Sequence, residues 1–220
     1  MKKLFPLLSV LFLIYWGCEG YYGTYSEKPK VTEVRLWGED YLIESTFKLD
    51  LSNSGLTGFI PPEIGNLTNL TDLRLGVNEL TGSIPTEIGN LTKLTKLILY
   101  KNEFTGKIPS EIGNLTNLTN LRLEYNQLTG SIPSEMGNLI NLEYFRLDHN
   151  DFTGLLPENL CDLNESVFRG SIYGLTSYLT FSYNRLCPPY PSCLRGTYTD
   201  GYSGNQIPII GNQDTSNCGD

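Results

Sequence analysis

The chain has one histidine, His149, directly preceded by Asp148. A histidine beside a carboxylate is the minimum for acid–base chemistry, but only if both groups reach the same proton. On a strand, neighbouring residues project to opposite faces, so this pair is not expected to act as a dyad. No serine stands in a nucleophile-elbow context and no glycine-rich phosphate loop leads into a helical pattern. Neither CxxC nor HxxxH metal spacing occurs. The chain is therefore expected not to be an enzyme and to carry no cofactor and no metal.

The other side chains able to do chemistry are suited to recognition. Arg74, Tyr100, Arg122, Tyr125, Tyr144, Arg146 and His149 are the planar, amphipathic types that dominate binding interfaces, and they recur on a fixed period. Residues 66–89, 90–113, 114–137 and 138–161 align without a gap at 24 residues, and residues 43–65 make a fifth, weaker copy. A period of this size describes a solenoid in which each unit buries its apolar face only against its neighbours.

Each column of the repeat has a physical task. Leu49, Leu73, Leu97, Leu121 and Phe145 form one apolar column, and Leu51, Leu75, Leu99, Leu123 and Leu147 another two residues on. That spacing is a strand with both columns inward, so the copies should stack as a parallel sheet with strands about 4.8 Å apart, about 24 Å wide for five copies. Asn78, Asn102, Asn126, Asn150 and Asn184 follow where the chain must turn inward. An amide both donates and accepts, so this column should satisfy buried backbone groups of adjacent coils; Asn102→Leu should be strongly destabilising. The glycines at 58, 82, 106, 130 and 154 suit close approach or positive φ, and the Ile-Pro steps forbid a continuing helix, leaving 3₁₀ or irregular turns on the convex side.

These residues resemble the plant-type leucine-rich repeat, LxxLxLxxNxLxGxIPxxIGxLxx, across residues 43–161. The resemblance implies an α/β solenoid, right-handed and curved, with a concave parallel sheet as the ligand surface, a lateral strand at each LTGxIP segment, and capped ends. Trp37 stands where plant members carry a cap tryptophan, while the cysteine pair usual in that cap is absent. The same resemblance brings plant polygalacturonase inhibitors into view, so inhibition of an extracellular hydrolase is an alternative role.

The ends are expected to divide as follows. Residues 1–18 read as a secretion signal, with two lysines before an apolar run too short to span a bilayer. Gly17-Cys18 is similar to a bacterial lipoprotein signal, with Cys18 as the lipidated residue; a soluble chain cut elsewhere is the alternative. Residues 19–30 make a polar linker, 31–42 an N-terminal cap, and 162–220 a C-terminal cap ending in a polar, irregular tail. Cys161, Cys187, Cys193 and Cys218 form an even set suited to two disulfides in an oxidising compartment. Three pairings are open; the favoured one joins Cys187 to Cys193 around a proline-rich loop and Cys161 to Cys218. Six N-x-S/T sequons occur, at Asn66, Asn69, Asn90, Asn114, Asn117 and Asn164, five of them by-products of the repeated phrase.

A formal charge of −8 argues against nucleic acid and against a polybasic membrane contact. Membrane association is expected only through lipid on Cys18, and the protein is expected to be a monomer at the cell surface or outside the cell. The sheet face should bring Arg122, Arg146, Tyr100, Tyr125, Tyr144 and His149 together, with an arginine balance suited to a protein or polysaccharide ligand offering carboxylates. Arg122→Ala is expected to leave folding nearly untouched because the side chain faces water. A rival surface is the unbroken column Thr57, Thr81, Thr105, Thr129 and Thr153, the kind of array that suits an ice or crystal binder.

Overall fold

The 24-residue period becomes a stack of coils in the computed structural model, which describes residues 32–163, 179–194, 197–199, 206–208, 210–216 and 218. Each coil opens with a short concave strand: Lys48–Asp50, Asp72–Arg74, Lys96–Ile98, Asn120–Arg122, Tyr144–Arg146 and Leu179–Thr180. These six pair in parallel, with Leu49, Leu73, Leu97, Leu121 and Phe145 in register. A second six-stranded parallel sheet runs laterally through the LTG segments, from Thr57–Gly58 to Arg185–Cys187. After each Ile-Pro step the chain makes a 3₁₀ turn, as at Thr86–Asn90 and Ser110–Asn114, where proline fixes an extended residue before the turn. A hairpin of Glu33–Leu36 and Glu39–Leu42 precedes the first coil. The expected concave sheet, lateral strands and 3₁₀ convex side are all present.

Packing explains why the repeat tolerates so little change. Leu73, Leu97, Leu121, Phe145 and the residues two further on, Leu75, Leu99, Leu123 and Leu147, have no solvent exposure. One coil alone could not bury them, so each strand's stability belongs to its neighbours as much as to itself. On the convex side Gly113 lets coils approach: a Cβ there would stand 2.6 Å from the Glu135 carbonyl oxygen of the next coil. Gly106 has a different task, a backbone at φ +75°, where a Cβ would make only an ordinary contact with Ser83 Cβ at 3.6 Å.

The asparagine column works as the sequence requires. Asn102 Oδ1 accepts from the Leu80 N–H of the preceding coil at 3.1 Å, while Nδ2 donates to Leu75 O at 2.9 Å and Leu99 O at 3.1 Å. Asn126, Asn150 and Asn184 repeat this arrangement, and Asn78 makes its counterpart on the first coil. Directly before each of these asparagines the backbone turns left-handed: Val77, Lys101, Tyr125, His149 and Tyr183 all have φ between 52° and 59°. That conformation is unusual for side-chain-bearing residues. It is imposed by the need to swing the amide inward.

The C-terminal cap differs from expectation in two respects. The disulfides are Cys161–Cys193 and Cys187–Cys218, each with Cα atoms 5.6 Å apart, and not Cys187–Cys193 with Cys161–Cys218. Cys187 ends a lateral strand whereas Cys193 lies in the 3₁₀ turn Ser192–Leu194, so the two sit on different sides of the coil. Each bonds to what stacks beside it: Cys193 to the preceding convex turn Glu158–Asp162, and Cys187 to the tail.

The tail is also more regular than its composition suggests. Gln213 stands in for the next asparagine of the column, accepting from Leu186 N at 3.1 Å and donating to Phe181 O at 2.7 Å and Ile210 O at 2.8 Å. Tyr183 N–H donates to Asn212 O, Asp214 N–H to Asn184 O, and Ile210 is buried. Residues 210–214 thus form a surrogate coil that closes the end of the stack. A hairpin of Thr197–Thr199 and Gln206–Pro208 precedes it. Residues 1–31, with Cys18, and Asn164 lie outside the described residues.

Asn102→Leu should lower stability by about 3 kcal/mol, since three backbone groups lose their partner at about 1 kcal/mol or more each. A urea unfolding midpoint equal to that of the parent would refute the role given to the column. Gln213→Ala should speed hydrogen exchange at Leu186 N–H while leaving amides of the central coils unchanged.

Candidate ligand-binding face

Strand periodicity puts residues two apart on the same face, and on the concave sheet those neighbours carry opposite charge. Arg74 binds Asp72 in fork geometry, Nε to Oδ1 at 2.9 Å and Nη2 to Oδ2 at 3.0 Å. Arg122 Nε donates to Glu124 Oε1 at 2.8 Å, with Nη2 on the same oxygen. Arg146 repeats the fork on Asp148 at 3.1 and 2.9 Å and reaches Glu124 Oε1 at 3.8 Å. The expected surplus of arginine charge is therefore absent. Each arginine is matched by an acid of its own coil, two residues away, and the face is electrostatically self-contained.

All three of those acids are buried, Asp72 at 9 % exposure. Glu124 has no exposure and Asp148 only 3 %. Glu124 Oε2 and the nearby Asn120 Oδ1 have no hydrogen-bond partner among the described residues. Burial alone would raise the Asp148 pKa. Hydrogen bonds from Arg146 and Thr180, the Arg146 charge and a contact with His149 outweigh it and hold the carboxyl below the usual carboxylate range. For Arg146, burial disfavours the charge, yet the bonds and charge of Asp148, with Glu124 beyond, raise its pKa above the ordinary arginine value.

The aromatic groups are positioned with equal economy. Tyr100 lies over Gly76, where a Cβ would meet its ring at 2.6 Å, and the Arg122 guanidinium covers the ring at 4.1 Å from the centroid. Glycine at that one place in the column makes room for the ring. Along the left-handed column, Tyr125 stacks on His149 with centroids 4.1 Å apart, and His149 stacks on Tyr183 at 4.3 Å. Lys101 extends the row, 5.8 Å from the Tyr125 centroid. Tyr183 belongs to this group and was missed; it occupies the Tyr125 column of the last coil, recognisable by the asparagine that follows it.

His149 and Asp148 do meet, contrary to the strand argument: Nδ1 lies 3.0 Å from Asp148 Oδ2. The reason is that His149, at φ 55°, is no longer part of a strand and folds back over its neighbour. Among the described residues no serine, threonine or cysteine is hydrogen-bonded to His149; the nearby Thr180 hydroxyl bonds to Asp148 instead. Of the residues singled out, Arg122, Arg146, Tyr100, Tyr125 and His149 form one connected group, Arg74 pairs separately with Asp72, and Tyr144 is on the rim at 38 % exposure.

The other surfaces are less organised. The threonine column is exposed on the lateral sheet, but flanking columns mix Glu79, Glu103 and Gln127 with Phe59, Lys107 and Leu155, so no second regular row accompanies it. Asn66, Asn90 and Asn114 are exposed at the ends of 3₁₀ turns, whereas Asn69 and Asn117 donate their amides to preceding coils.

A family model described as "Leucine-rich repeat region" matches residues 48–166. Among solved structures, the chain is similar to the ectodomain of the plant membrane receptor kinase GASSHO1/SCHENGEN3 from Arabidopsis thaliana, in complex with CASPARIAN STRIP INTEGRITY FACTOR 2. Identity is 36 %, over 67 % of this chain and 17 % of that one, with a TM-score of 0.60. It is also similar to the plant peptide hormone receptor RGFR1 in complex with RGF2, at 35 % identity over 66 % of this chain and 22 % of that one, TM-score 0.56. The SOBIR1 receptor kinase ectodomain of Arabidopsis thaliana matches at 31 % identity over 70 % of this chain and 78 % of its own, TM-score 0.54. The chain thus spans about a fifth of the length of the first two. No curated protein matches it.

Because Glu124 is buried, Arg122→Ala should cost about 3 kcal/mol, reversing the expectation drawn from sequence; removal of one partner strands a buried charge. The double variant Arg122→Met/Glu124→Leu should recover most of that loss in chemical denaturation. For Asp148, a pKa lowered in the folded state means that its contribution is complete above about pH 4 and drains away as the pH falls below that. Asp148→Asn should lower stability at pH 7 and flatten the decline between pH 4 and pH 2, read as melting temperature against pH.

Proposed function

The chain belongs to the leucine-rich repeat family, and on that premise we propose that it is an exported, non-catalytic binding protein that holds a peptide segment of a protein ligand on the C-terminal half of its concave sheet. The observation that carries this reading is the connected group of Tyr100, Arg122, Arg146, Tyr125 and His149, pinned by ion pairs and stacking before any ligand arrives. Groups already fixed lose little freedom on binding, which favours affinity from a small footprint.

The ligand chemistry changes with the pairing of the arginines. Arg74 and Arg122 use Nε and Nη2 on their own acids, and both side chains remain about a third exposed, so their guanidinium groups retain donors beyond the pairs. Such a face suits carbonyl oxygens of an extended peptide as well as a carboxylate. The likeness to the plant peptide hormone receptor RGFR1, solved with RGF2, supports a protein ligand over a polysaccharide. Two disulfides fit an oxidising compartment, and no helix among the described residues is long and apolar enough to cross a membrane. Export through residues 1–18, with lipid on Cys18 as the anchor, belongs to the same reading.

A random peptide library displayed on phage, panned against the disulfide-bonded protein, tests it. Enriched peptides should bind a Tyr100→Ala/Tyr125→Ala variant of parental circular dichroism at least tenfold more weakly, the loss expected for anchor residues. Equal affinity for parent and variant would remove the site from this face.

A further inference from the structure

The asparagine column runs where the concave strands give way to the lateral ones. At its C-terminal end, beside the docked tail, lies a cavity of about 310 Å³, at the lower end of the range for small-molecule sites. Asn150, Asn184 and Gln213 make the floor, and their amides are committed to the backbone. The walls are Tyr183 and Asn212 on one side and Asp151, Arg185 and Asp214 on the other. None of these walls belongs to the concave group proposed above, except that Tyr183 ends its aromatic row.

Tyr183 is 55 % exposed. One face of its ring rests on His149 at 4.3 Å, and the other faces the tail, where the next member of its column is the short Asn212. An aromatic face is thus left open above a polar floor. Opposite it, Arg185 Nη2 is 3.0 Å from Asp151 Oδ1, and Asp214 is held ionised by hydrogen bonds from the Ser216 hydroxyl and N–H, with Arg185 adding to the effect.

The charge count in this cavity selects the ligand. A free anion would meet two carboxylates around one guanidinium, while a cation would have to displace Arg185 from Asp151 or settle on the exposed Asp214, where water screens the attraction. What remains is a neutral ligand with one apolar face and a rim of hydroxyls. Planar carboxylates, an amide and a guanidinium each meet two adjacent hydroxyls in fork fashion, while a ring's axial C–H groups lie on a tyrosine. We propose that this cavity is a second binding site, separate from the concave face, for a single neutral sugar ring stacked on Tyr183 with its hydroxyls held by Asp151, Arg185, Asn212 and Asp214.

The test is saturation-transfer NMR of the intact disulfide-bonded protein with glucose, galactose, mannose, xylose and their β-1,4-linked disaccharides as probes. At least one sugar should receive saturation on the C–H protons of one ring face. Tyr183→Asn, which suits the left-handed backbone, and Asp214→Asn should each reduce the transfer at least fivefold, whereas Tyr125→Ala should leave it unchanged. Absence of transfer to every sugar overturns the site, as does transfer that survives both cavity variants. Displacement of the sugar by millimolar arginine amide or acetate, at constant ionic strength, would overturn its assignment to a neutral ligand.

Discussion

One side-chain amide per coil, placed to bond the backbone of two coils at once, is the constraint from which the rest of the molecule follows. A coil that turns inward after its concave strand strands two carbonyls and an N–H away from water, and the asparagine column satisfies all three. To bring the amide inside, the residue before it must turn left-handed. That turn lifts its side chain off the sheet. Tyr125, His149 and Tyr183 stack because the ladder delivers their Cα atoms at the coil spacing, and aromatic rings fill that interval.

The concave sheet obeys a second constraint, set by burial. Glu124 and Asp148 sit at or near zero exposure, where an unpaired carboxylate would be strongly unfavourable. Their arginines are two residues away, at the ends of the strands that lead into them, so pairing is local and needs no help from distant loops. The face is accordingly stiff. Its guanidinium groups point where the acids hold them, so the side-chain order of the proposed ligand face is set by the fold itself.

Sequence alone made the fold legible because its determinants are periodic: leucine, asparagine, glycine and proline columns each report one physical need, repeated. The site was legible as a list of residues but not as a network. Column reading treated residues 125 and 149 as strand positions, and the left-handed backbone that joins His149 to Asp148 becomes visible only once the inward turn is built. Pairing of Arg122 with Glu124 follows from two-residue strand spacing, yet the depth of Glu124 does not, since a polar column on a concave face reads as solvated. The caps were least legible, because they occur once. Gln213 sits among turn-forming residues with no repeat to mark it, and the disulfides depend on which side of a coil each cysteine faces.

The surrogate coil formed by residues 210–214 has a consequence for how such a chain can change over generations. The tail recognises the last coil through the same backbone groups that every coil offers, so its seat is generic. Duplication or loss of one whole 24-residue unit in the interior would leave that seat intact and alter only the number of concave strands. Copy number is then a variable that drift can explore without redesigning the terminus, and the breadth of the concave sheet becomes a matter of counting.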